Sequence, residues 1–295
     1  MELWVLISIG AAFLQNLRSA LQKTLTGKVD VVGATYARFL FAAPLAAALV
    51  AALIGAGGAA PGLTPAFVGW ALVGGAGQIT AQVLLLQLFK LRNFAVGNAF
   101  ARTETVQAAI LGAILLGDWL APWALAGILI SAAGVVLLSA ASGWRAGLLN
   151  RATAIGLASG TTFAVSAVSY RAAALSLDGD ADFLLRAACT LAFVTLVQTL
   201  AMSLWMRLRR PGAISAVLAH WRPAAAIGAV GMLASLGWFT AFTLTSAAEV
   251  KAVGQVELLF SFLTARFAFG ERPTLREITG ISLVAGGIVL LVLTA

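Results

Sequence analysis

Two stretches of the sequence, ETVQAAILGAILLGD at residues 104–118 and ELLFSFLTARFAFGE at residues 257–271, follow one pattern. Each is an apolar run with an acidic residue at both ends, and the second begins 153 residues after the first. Glycines beyond the two runs match at the same offset: Gly127 with Gly280 and Gly134 with Gly287. Self-similarity at a fixed offset indicates an internal repeat. The predicted repeats are residues 1–147 and 148–295.

The composition excludes a soluble enzyme. Hydrophobic residues make up 61% of the 295 residues and charged residues 10%, whereas soluble globular chains carry ~25% charged residues. The chain therefore lacks the polar side chains needed to cover a water-facing surface. A membrane-spanning helix needs ~20 apolar residues, and the length accommodates ten such helices with short connections. We predict an all-α integral membrane protein with ten transmembrane helices.

Proline residues and clusters of charge divide the chain into ten predicted spans. They are Leu3–Leu21, Val32–Ile54, Ala66–Leu88, Gly97–Leu116, Trp119–Ala140, Thr153–Leu175, Phe183–Trp205, Ala224–Leu244, Ala252–Phe269 and Leu275–Thr294. Pro44 is the exception among the prolines, because it falls inside the second span. Membrane helices tolerate such a proline, so the second span is retained.

Lysine and arginine are concentrated in the odd-numbered connections between these spans. Twelve of them lie there: Lys23, Lys28, Lys90, Arg92, Arg145, Arg151, Arg207, Arg209, Arg210, Arg222, Arg272 and Arg276. Only Arg171 and Lys251 lie at the edges of even-numbered connections. By the positive-inside rule, the odd connections face the cytoplasm and both termini face the outer, periplasmic side. This topology is expected for a multi-pass protein of a bacterial-type inner (plasma) membrane.

The two repeats are predicted to enter the membrane in opposite directions, because each holds five spans. The charges agree with this inversion. The first connection of repeat one contains Lys23 and Lys28, whereas its counterpart in repeat two contains Asp178, Asp180 and Asp182. A further match has an offset of 148 residues: Asp30 and Arg38 with Asp178 and Arg186. Inverted repeats are a transporter architecture with the binding site near the membrane midplane.

Cofactors and macromolecular partners are not indicated. The single cysteine, Cys189, excludes a disulfide framework and a multi-cysteine metal site, so no metal or cofactor is expected. The net charge of +8 raises the question of nucleic acid, but the basic residues lie in short connections, where they set the topology. The expected partners are a small-molecule substrate and the lipid bilayer. A monomer suffices, since the duplication supplies both halves, and a dimer is also compatible.

Two glutamates, Glu104 and Glu257, occupy equivalent positions within the fourth and ninth predicted spans. Ionisable residues inside a bilayer cost ~2.5–3.5 kcal/mol on insertion scales and are functional by default. A buried carboxyl group can accept a proton or neutralise a cation, so both are candidates for proton or ion coupling or for binding substrate charge. If their spans begin near Gly97 and Ala252, they lie about two turns inside, past the main reach of the helix dipole. The alternative is a hydrogen-bonded structural glutamate.

Seven further residues within the spans are candidates for substrate binding: Gln15, Asn16, Gln78, Gln82, Thr162, Trp238 and Phe239. Each amide side chain brings two donors and an acceptor, which suits a wet cavity, and aromatic rings can form a wall that also holds cations. The alternatives are interhelical hydrogen bonds, worth ~0.6 kcal/mol each, and core packing or lipid contact of the rings. Four arginines near predicted helix ends are expected to extend to an interface instead: Arg18, Arg38, Arg186 and Arg266.

A mid-span glutamate, an acid fourteen residues later and G-x6-G in the next span together resemble the drug/metabolite transporter superfamily. More narrowly, the pattern is similar to ten-helix EamA-type metabolite exporters. Both halves carry it, with Thr105 and Leu258 standing where the family often has proline. The resemblance implies alternating access for a small metabolite, often efflux of amino acids. It also implies a central cavity lined mainly by spans one, three, four, six, eight and nine.

The sequence therefore predicts a secondary active transporter of a small polar or amphipathic metabolite, with an amino acid or amine and efflux favoured. Proton coupling through Glu257 and Glu104 is a hypothesis within this prediction. Import or facilitative exchange of another metabolite, such as a vitamin, sugar or nucleoside, stays open on the same fold. A non-transporting membrane scaffold is a remote alternative. An intramembrane enzyme is disfavoured, because the only histidine, His220, lies at a connection and no nucleophile has a base beside it.

Overall fold

The computed structural model describes residues 2–25, 28–91, 103–140, 151–260 and 274–294, and within them the secondary structure is helical, with no β-strand. The helices are α1 Leu3–Leu25, α2 Val31–Gly55, α3 Pro65–Leu91, α4 Glu104–Leu116, α5 Pro122–Ala140, α6 Arg151–Leu175, α7 Phe183–Arg209, α8 Ala213–Ala219, α9 Trp221–Leu244, α10 Ala247–Gly254 and α11 Leu275–Thr294. Residues 256–260 are also helical and follow α10 after a turn at Gln255. For the part of the chain that the structure describes, the prediction of an all-helical fold is confirmed.

Among the described residues, four helices are long and apolar enough to cross a membrane. Their apolar segments are Val32–Gly55, Pro65–Leu85, Phe183–Arg209 and Trp221–Leu244. Shorter apolar segments are Leu3–Ser19, Glu104–Leu116, Pro122–Leu137 and Ile278–Leu293. The expected start of the fourth span at 97–102 and the expected end of the ninth at 261–269 lie outside the described residues, as do Arg266 and Glu271.

Aspartates begin two of the long helices. The carboxylates of Asp30 and Asp182 accept hydrogen bonds of 2.7 Å from the backbone N–H groups three residues later, at the starts of α2 and α7. Such N-caps satisfy donors that a helix start leaves unpaired. By this role Asp30 corresponds to Asp182 rather than to Asp178. The offset between the two caps is 152 residues, which is close to the 153 of the other predicted matches.

Helix α5 begins at Pro122 rather than at the predicted Trp119. Gly117 ends α4 in the left-handed conformation, with φ of 69°, which glycine adopts without steric cost. Proline favours the first position of a helix because its missing N–H is not needed there. Gly117 and Pro122 thus define the end of α4 and the start of α5, which hydropathy alone does not locate.

The predicted ninth span is interrupted. Helix α10 begins earlier than the predicted Ala252, because Ser246 and Glu249 form a capping box at its start. It ends at Gly254, and the turn at Gln255 separates it from helical residues 256–260. The short helix α8, between α7 and α9, was also not predicted.

Contacts divide the chain into two compact units, and each unit combines segments from both halves of the sequence. The first unit comprises Met1–Ile9, Ala76–Ser169 and Thr245–Ala295. The second unit comprises Gly10–Gly75 and Tyr170–Leu244.

Helices α5 and α11 cross at four glycines in the first unit. A Cβ added at Gly127 would lie 2.7 Å from the Gly287 carbonyl oxygen, and one added at Gly134 would lie 2.6 Å from the Gly280 carbonyl oxygen. Because the numbering runs in opposite directions at the two contacts, the helices are antiparallel. Small residues allow this close backbone approach, a common packing device in membranes.

Helices α2, α7 and α9 pack together in the second unit. The Tyr36 hydroxyl lies 2.7 Å from the Ser203 Oγ, joining α2 to α7. Gly228 of α9 packs directly on Phe41 of α2, where an added Cβ would overlap the phenylalanine. Val217 of α8 is fully buried in the same apolar core, together with residues of α2, α7 and α9.

Candidate functional site

Glu104 of the first unit forms an ion pair with a lysine. The Lys251 Nζ lies 3.4 Å from each carboxylate oxygen of Glu104, and the two side chains are only 21% and 12% exposed. The Lys251 ammonium also lies 5.9 Å from the centre of the Phe163 ring, a position that favours a cation. A cationic substrate that binds Glu104 must therefore compete with a cation of the protein itself.

The expected depth of Glu104 within its helix is not observed. Thr103 lies in a turn and Glu104 is the first residue of α4, rather than about two turns inside. A carboxylate in the first turn interacts favourably with the helix dipole. Glu104 is therefore held by two local interactions, its place in the first turn of α4 and the ion pair with Lys251.

Glu257 lies in the helical residues 256–260, two positions after the turn at Gln255, and its side chain is half-buried. Gln255 itself is fully buried. Its Nε2 donates to the Thr105 Oγ1 at 3.0 Å, and its Oε1 accepts from the Ser131 Oγ at 2.5 Å. The interruption that precedes Glu257 is thus fixed to α4 and α5.

Gln78, Gln82 and Thr162 also belong to the first unit and lie on two neighbouring helices, α3 and α6. A Cβ added at Gly77 would lie 3.1 Å from the Thr162 carbonyl oxygen, and the Ser159 Oγ donates to the Ala81 carbonyl at 3.1 Å. All three candidates are half-buried. The Thr162 hydroxyl bonds back to carbonyls of its own helix, which is the structural alternative for a membrane threonine.

Gln15, Asn16, Trp238 and Phe239 belong to the second unit. The indole Nε1 of Trp238 donates to the Gln15 Oε1 at 3.0 Å, and half-buried Asn16 follows Gln15 on α1. Phe239 is buried and stacks on Tyr170, with ring centres 4.4 Å apart. The structure thus brings Gln15 to Trp238 and adds Tyr170, which was not predicted.

Arg18 and Arg38 contradict the expectation that they extend to an interface. They are 7% and 8% exposed, so both lie inside the second unit. Both side chains contact Gly231: a Cβ added there would lie 3.2 Å from the Arg18 Cδ and 3.2 Å from the Arg38 Cγ. The Arg38 Nη2 donates to the Ser235 Oγ at 3.1 Å. Glycine leaves the space that two long side chains need to lie side by side.

Arg186 has a structural role at a helix end. Its guanidinium donates to the carbonyl oxygens of Leu177 and Gly179 at 2.6 Å and to that of Ala181 at 2.9 Å. Cations near a helix C-terminus satisfy carbonyls that lack helical partners. Arg186 therefore orders the connection from α6 to α7.

Three candidates were missed because the sequence does not show how deeply their side chains are buried: Arg18, Arg38 and Lys251. The capping box at Ser246 was a usable signal for Lys251. It starts α10 at Ala247 and places Lys251 inside the helix rather than at the edge of a connection. For the arginines, the signal was the general cost of charge within a span.

Residues 152–293 match the EamA-like transporter family. A protein of known crystal structure, 20% identical in sequence, superposes on this chain with a TM-score of 0.69. That likeness covers 98% of this chain and 96% of the other, and 26 chains of solved structure are similar at a significant level. At this identity the likeness shows a shared fold. No curated protein is significantly similar in sequence.

Proposed function

We propose, from the premise that residues 152–293 belong to the EamA-like transporter family, that the protein moves a small polar or amphipathic metabolite across the inner membrane by alternating access. The family consists of multi-pass membrane transporters of small molecules, and this membership is the observation that carries the proposal. An amino acid or an amine is the favoured substrate class, and efflux is the favoured direction. The odd-numbered connections then face the cytoplasm, and both termini lie outside.

The crossing of α5 and α11 supports a division into inverted repeats, residues 1–147 and 148–295. Gly127 meets Gly287, and their repeat counterparts, Gly280 and Gly134, meet each other. Two equivalent elements related by a two-fold axis make such reciprocal contacts. An inverted five-helix repeat provides this symmetry within one chain, so a monomer suffices for transport.

Glu257 is the proposed carrier of the coupled proton, or the partner of a substrate amine. It is half-buried and directly follows an interrupted helix. Transporter sites are commonly built at interrupted membrane helices, whose ends leave backbone groups available. Because Gln255 fixes this interruption to two other helices, Glu257 is held by a rigid support.

Glu104 is proposed to exchange cations during the transport cycle. In the absence of substrate, Lys251 neutralises its carboxylate at 3.4 Å. A substrate amine has the same charge and can replace the Lys251 ammonium beside Glu104. When the amine leaves, Lys251 returns, so no unpaired carboxylate stays buried, which is the costly state.

Flux into proteoliposomes tests the proposal. The purified chain is reconstituted, a pH gradient is imposed, and uptake of amino acids, amines, sugars, nucleosides and organic acids is compared with that of protein-free liposomes. We expect gradient-dependent flux of an amino acid or amine, and its loss in Glu257→Gln. Asp180→Asn is the matched control, because Asp180 is an exposed carboxylate in the connection between α6 and α7.

The remaining outcomes separate the parts of the proposal. The proton-carrier role would be excluded by full flux in Glu257→Gln, or by wild-type flux that does not depend on the pH gradient. Flux restricted to a vitamin, sugar or nucleoside would favour the importer or exchanger alternative. No flux for any compound in either direction would favour a non-transporting scaffold.

A further inference from the structure

A small cleft of the second unit lies where α8 ends and α9 begins, beside the turn that follows α1. Its lining is formed by six residues: Lys28, Ala219, His220, Trp221, Arg222 and Pro223. Its volume is about 260 Å³. Pockets for drug-sized ligands measure about 300–1,000 Å³, so this cleft suits one small group of a larger molecule rather than a whole metabolite.

The two sides of the cleft are anchored in one apolar core. The turn that carries Lys28 is flanked by Leu25 and Val29, and both of these side chains are buried. They belong to the same core as Val217 of α8 and Ala224 of α9. The folded core therefore fixes the backbone on both sides of the cleft before any ligand binds.

The cleft is lined by cationic side chains. Lys28 and Arg222 both line it, and both are exposed. The Arg222 guanidinium lies 5.6 Å from the centre of the Trp221 ring. Ammonium and guanidinium groups both make charge-assisted hydrogen bonds to phosphate oxygens. A cleft with one of each is therefore complementary to a phosphate group.

The position of the cleft along the chain matches the polar boundary of a bilayer. Trp221 begins the apolar segment Trp221–Leu244, and Arg209 ends the apolar segment Phe183–Arg209; both segments are long enough to span a membrane. A tryptophan at the end of a span is typical of the headgroup region. Basic pockets beside membrane helices bind anionic lipid headgroups.

Exposed apolar side chains lie next to the cleft in the sequence. Leu218 directly precedes the lining residue Ala219, and Trp205 and Leu208 lie near the end of α7, against which α8 packs. Contact with acyl chains removes such surface from water. A molecule that combines a phosphate group with apolar chains therefore uses more of this surface than free phosphate does.

We propose that the cleft binds the phosphate group of an anionic phospholipid, with Lys28 and Arg222 as its two charged contacts. The site is additional to the proposed transport function and does not depend on it, since it requires only a membrane protein. A zwitterionic headgroup is a weaker ligand, because its ammonium group adds a positive charge beside two cations. A ligand that binds the folded chain also stabilises it.

Thermal unfolding of the purified full-length protein in a neutral detergent tests the site. Phosphatidylglycerol is titrated against phosphatidylcholine with the same acyl chains, at constant pH and ionic strength. Sodium phosphate and glycerophosphoglycerol, the headgroup without acyl chains, are titrated separately. We expect a saturable rise in Tm with phosphatidylglycerol that exceeds the rise with each of the other three compounds.

Variants of the two basic residues assign the effect to the cleft. Lys28→Gln and Arg222→Gln should each weaken the apparent Kd for phosphatidylglycerol about fivefold, and the double variant about 25-fold. Without added lipid, all three should unfold near the wild-type Tm, because the side chains that they remove are exposed. If the double variant does not fold, the two single variants carry the test.

The matched control is the double variant Arg207→Gln with Arg209→Gln. It removes two positive charges from exposed positions at the end of α7, outside the lining of the cleft. Its apparent Kd should stay close to that of the wild type. An equal loss of affinity in the two double variants would show diffuse attraction by surface charge and would overturn the site.

Two other results would also overturn the proposal. The first is a Tm rise with phosphatidylglycerol that does not exceed the rise with phosphatidylcholine. The second is saturation by sodium phosphate or glycerophosphoglycerol at the same concentration as by the lipid, which would assign the cleft to a soluble phosphate compound. Selective stabilisation by phosphatidylglycerol that is lost only in the cleft variants would establish the lipid site.

Discussion

Lys251 and Glu104 form an ion pair, and both side chains are largely withdrawn from solvent. Removing one partner of such a pair leaves the other as a buried charge with less compensation. The energy of the pair is thus best measured by removing each side chain singly and then both together.

We predict that Glu104→Gln lowers the stability of the protein by about 1–3 kcal/mol, the cost of a charged group that loses its partner. Lys251→Met should cost a similar amount. The double variant should cost clearly less than the sum, which thermal unfolding in detergent measures. Lys28→Met, at an exposed position, is the control for loss of a lysine, and strict additivity would show that the pair is not coupled.

At this scale the sequence identified residue types but not their partners. Glu104 stands out because a carboxylate in an apolar run is unusual. Its partner Lys251 is 147 residues away, and only tertiary packing brings the two together. The Trp238–Gln15 hydrogen bond joins residues 223 apart and was likewise not predictable from the sequence. Both residues had nevertheless been selected for their chemistry.

The backbones of α5 and α11 approach closely where the two helices cross. A Cβ added at Gly287 would lie 2.5 Å from the Gly127 carbonyl oxygen and 2.6 Å from the Ser131 backbone nitrogen. These are backbone atoms, which cannot rotate away as a side chain would. The helices themselves must separate to admit even a methyl group.

We predict that Gly287→Ala destabilises the protein by about 1–3 kcal/mol through overpacking, measured as a fall in Tm. The neighbouring Gly286 is the matched control, because a Cβ added there meets no atom within 4 Å in the described structure. Gly286→Ala should be neutral or should stabilise the helix by up to about 1 kcal/mol through helix propensity. Equal effects of the two variants would contradict the crossing.

Most helix positions were predictable from apolar length, whereas several ends were not. Hydropathy averages over many residues, so it does not register the single left-handed glycine that ends α4 or the turn at Gln255. The seven-residue helix α8 is too short to produce a periodic pattern of its own. The capping box at Ser246 and Pro122 at the start of α5 are local signals that the sequence does contain.

The proposed topology of the whole molecule follows from the distribution of positive charge across the connections. We predict that the connection holding Asp180 faces outward and that the one holding Arg210 faces the cytoplasm. In a Cys189→Ser background, Asp180→Cys should react with a membrane-impermeant maleimide on intact cells. Arg210→Cys should react only after permeabilisation, and the reverse pattern would invert the topology.

That the chain is a membrane protein was predictable from composition, because a soluble fold could not bury so many apolar residues away from water. A repeat was predicted because acids and glycines recur at a constant offset. The compact units were not predictable, since each is assembled from segments of both halves. The packing of distant segments depends on tertiary contacts, and hydropathy and repeat patterns do not specify those contacts.

The α5–α11 crossing has a consequence for genetics. In most packed interfaces a bulky substitution on one side can be rescued by a smaller residue on the other. Here the nearest opposing atom at both Gly127 and Gly134 is the carbonyl oxygen of another glycine, and a glycine has no side chain left to shorten. A screen for second-site suppressors of a bulky substitution at Gly134 should therefore recover no compensating change at Gly280.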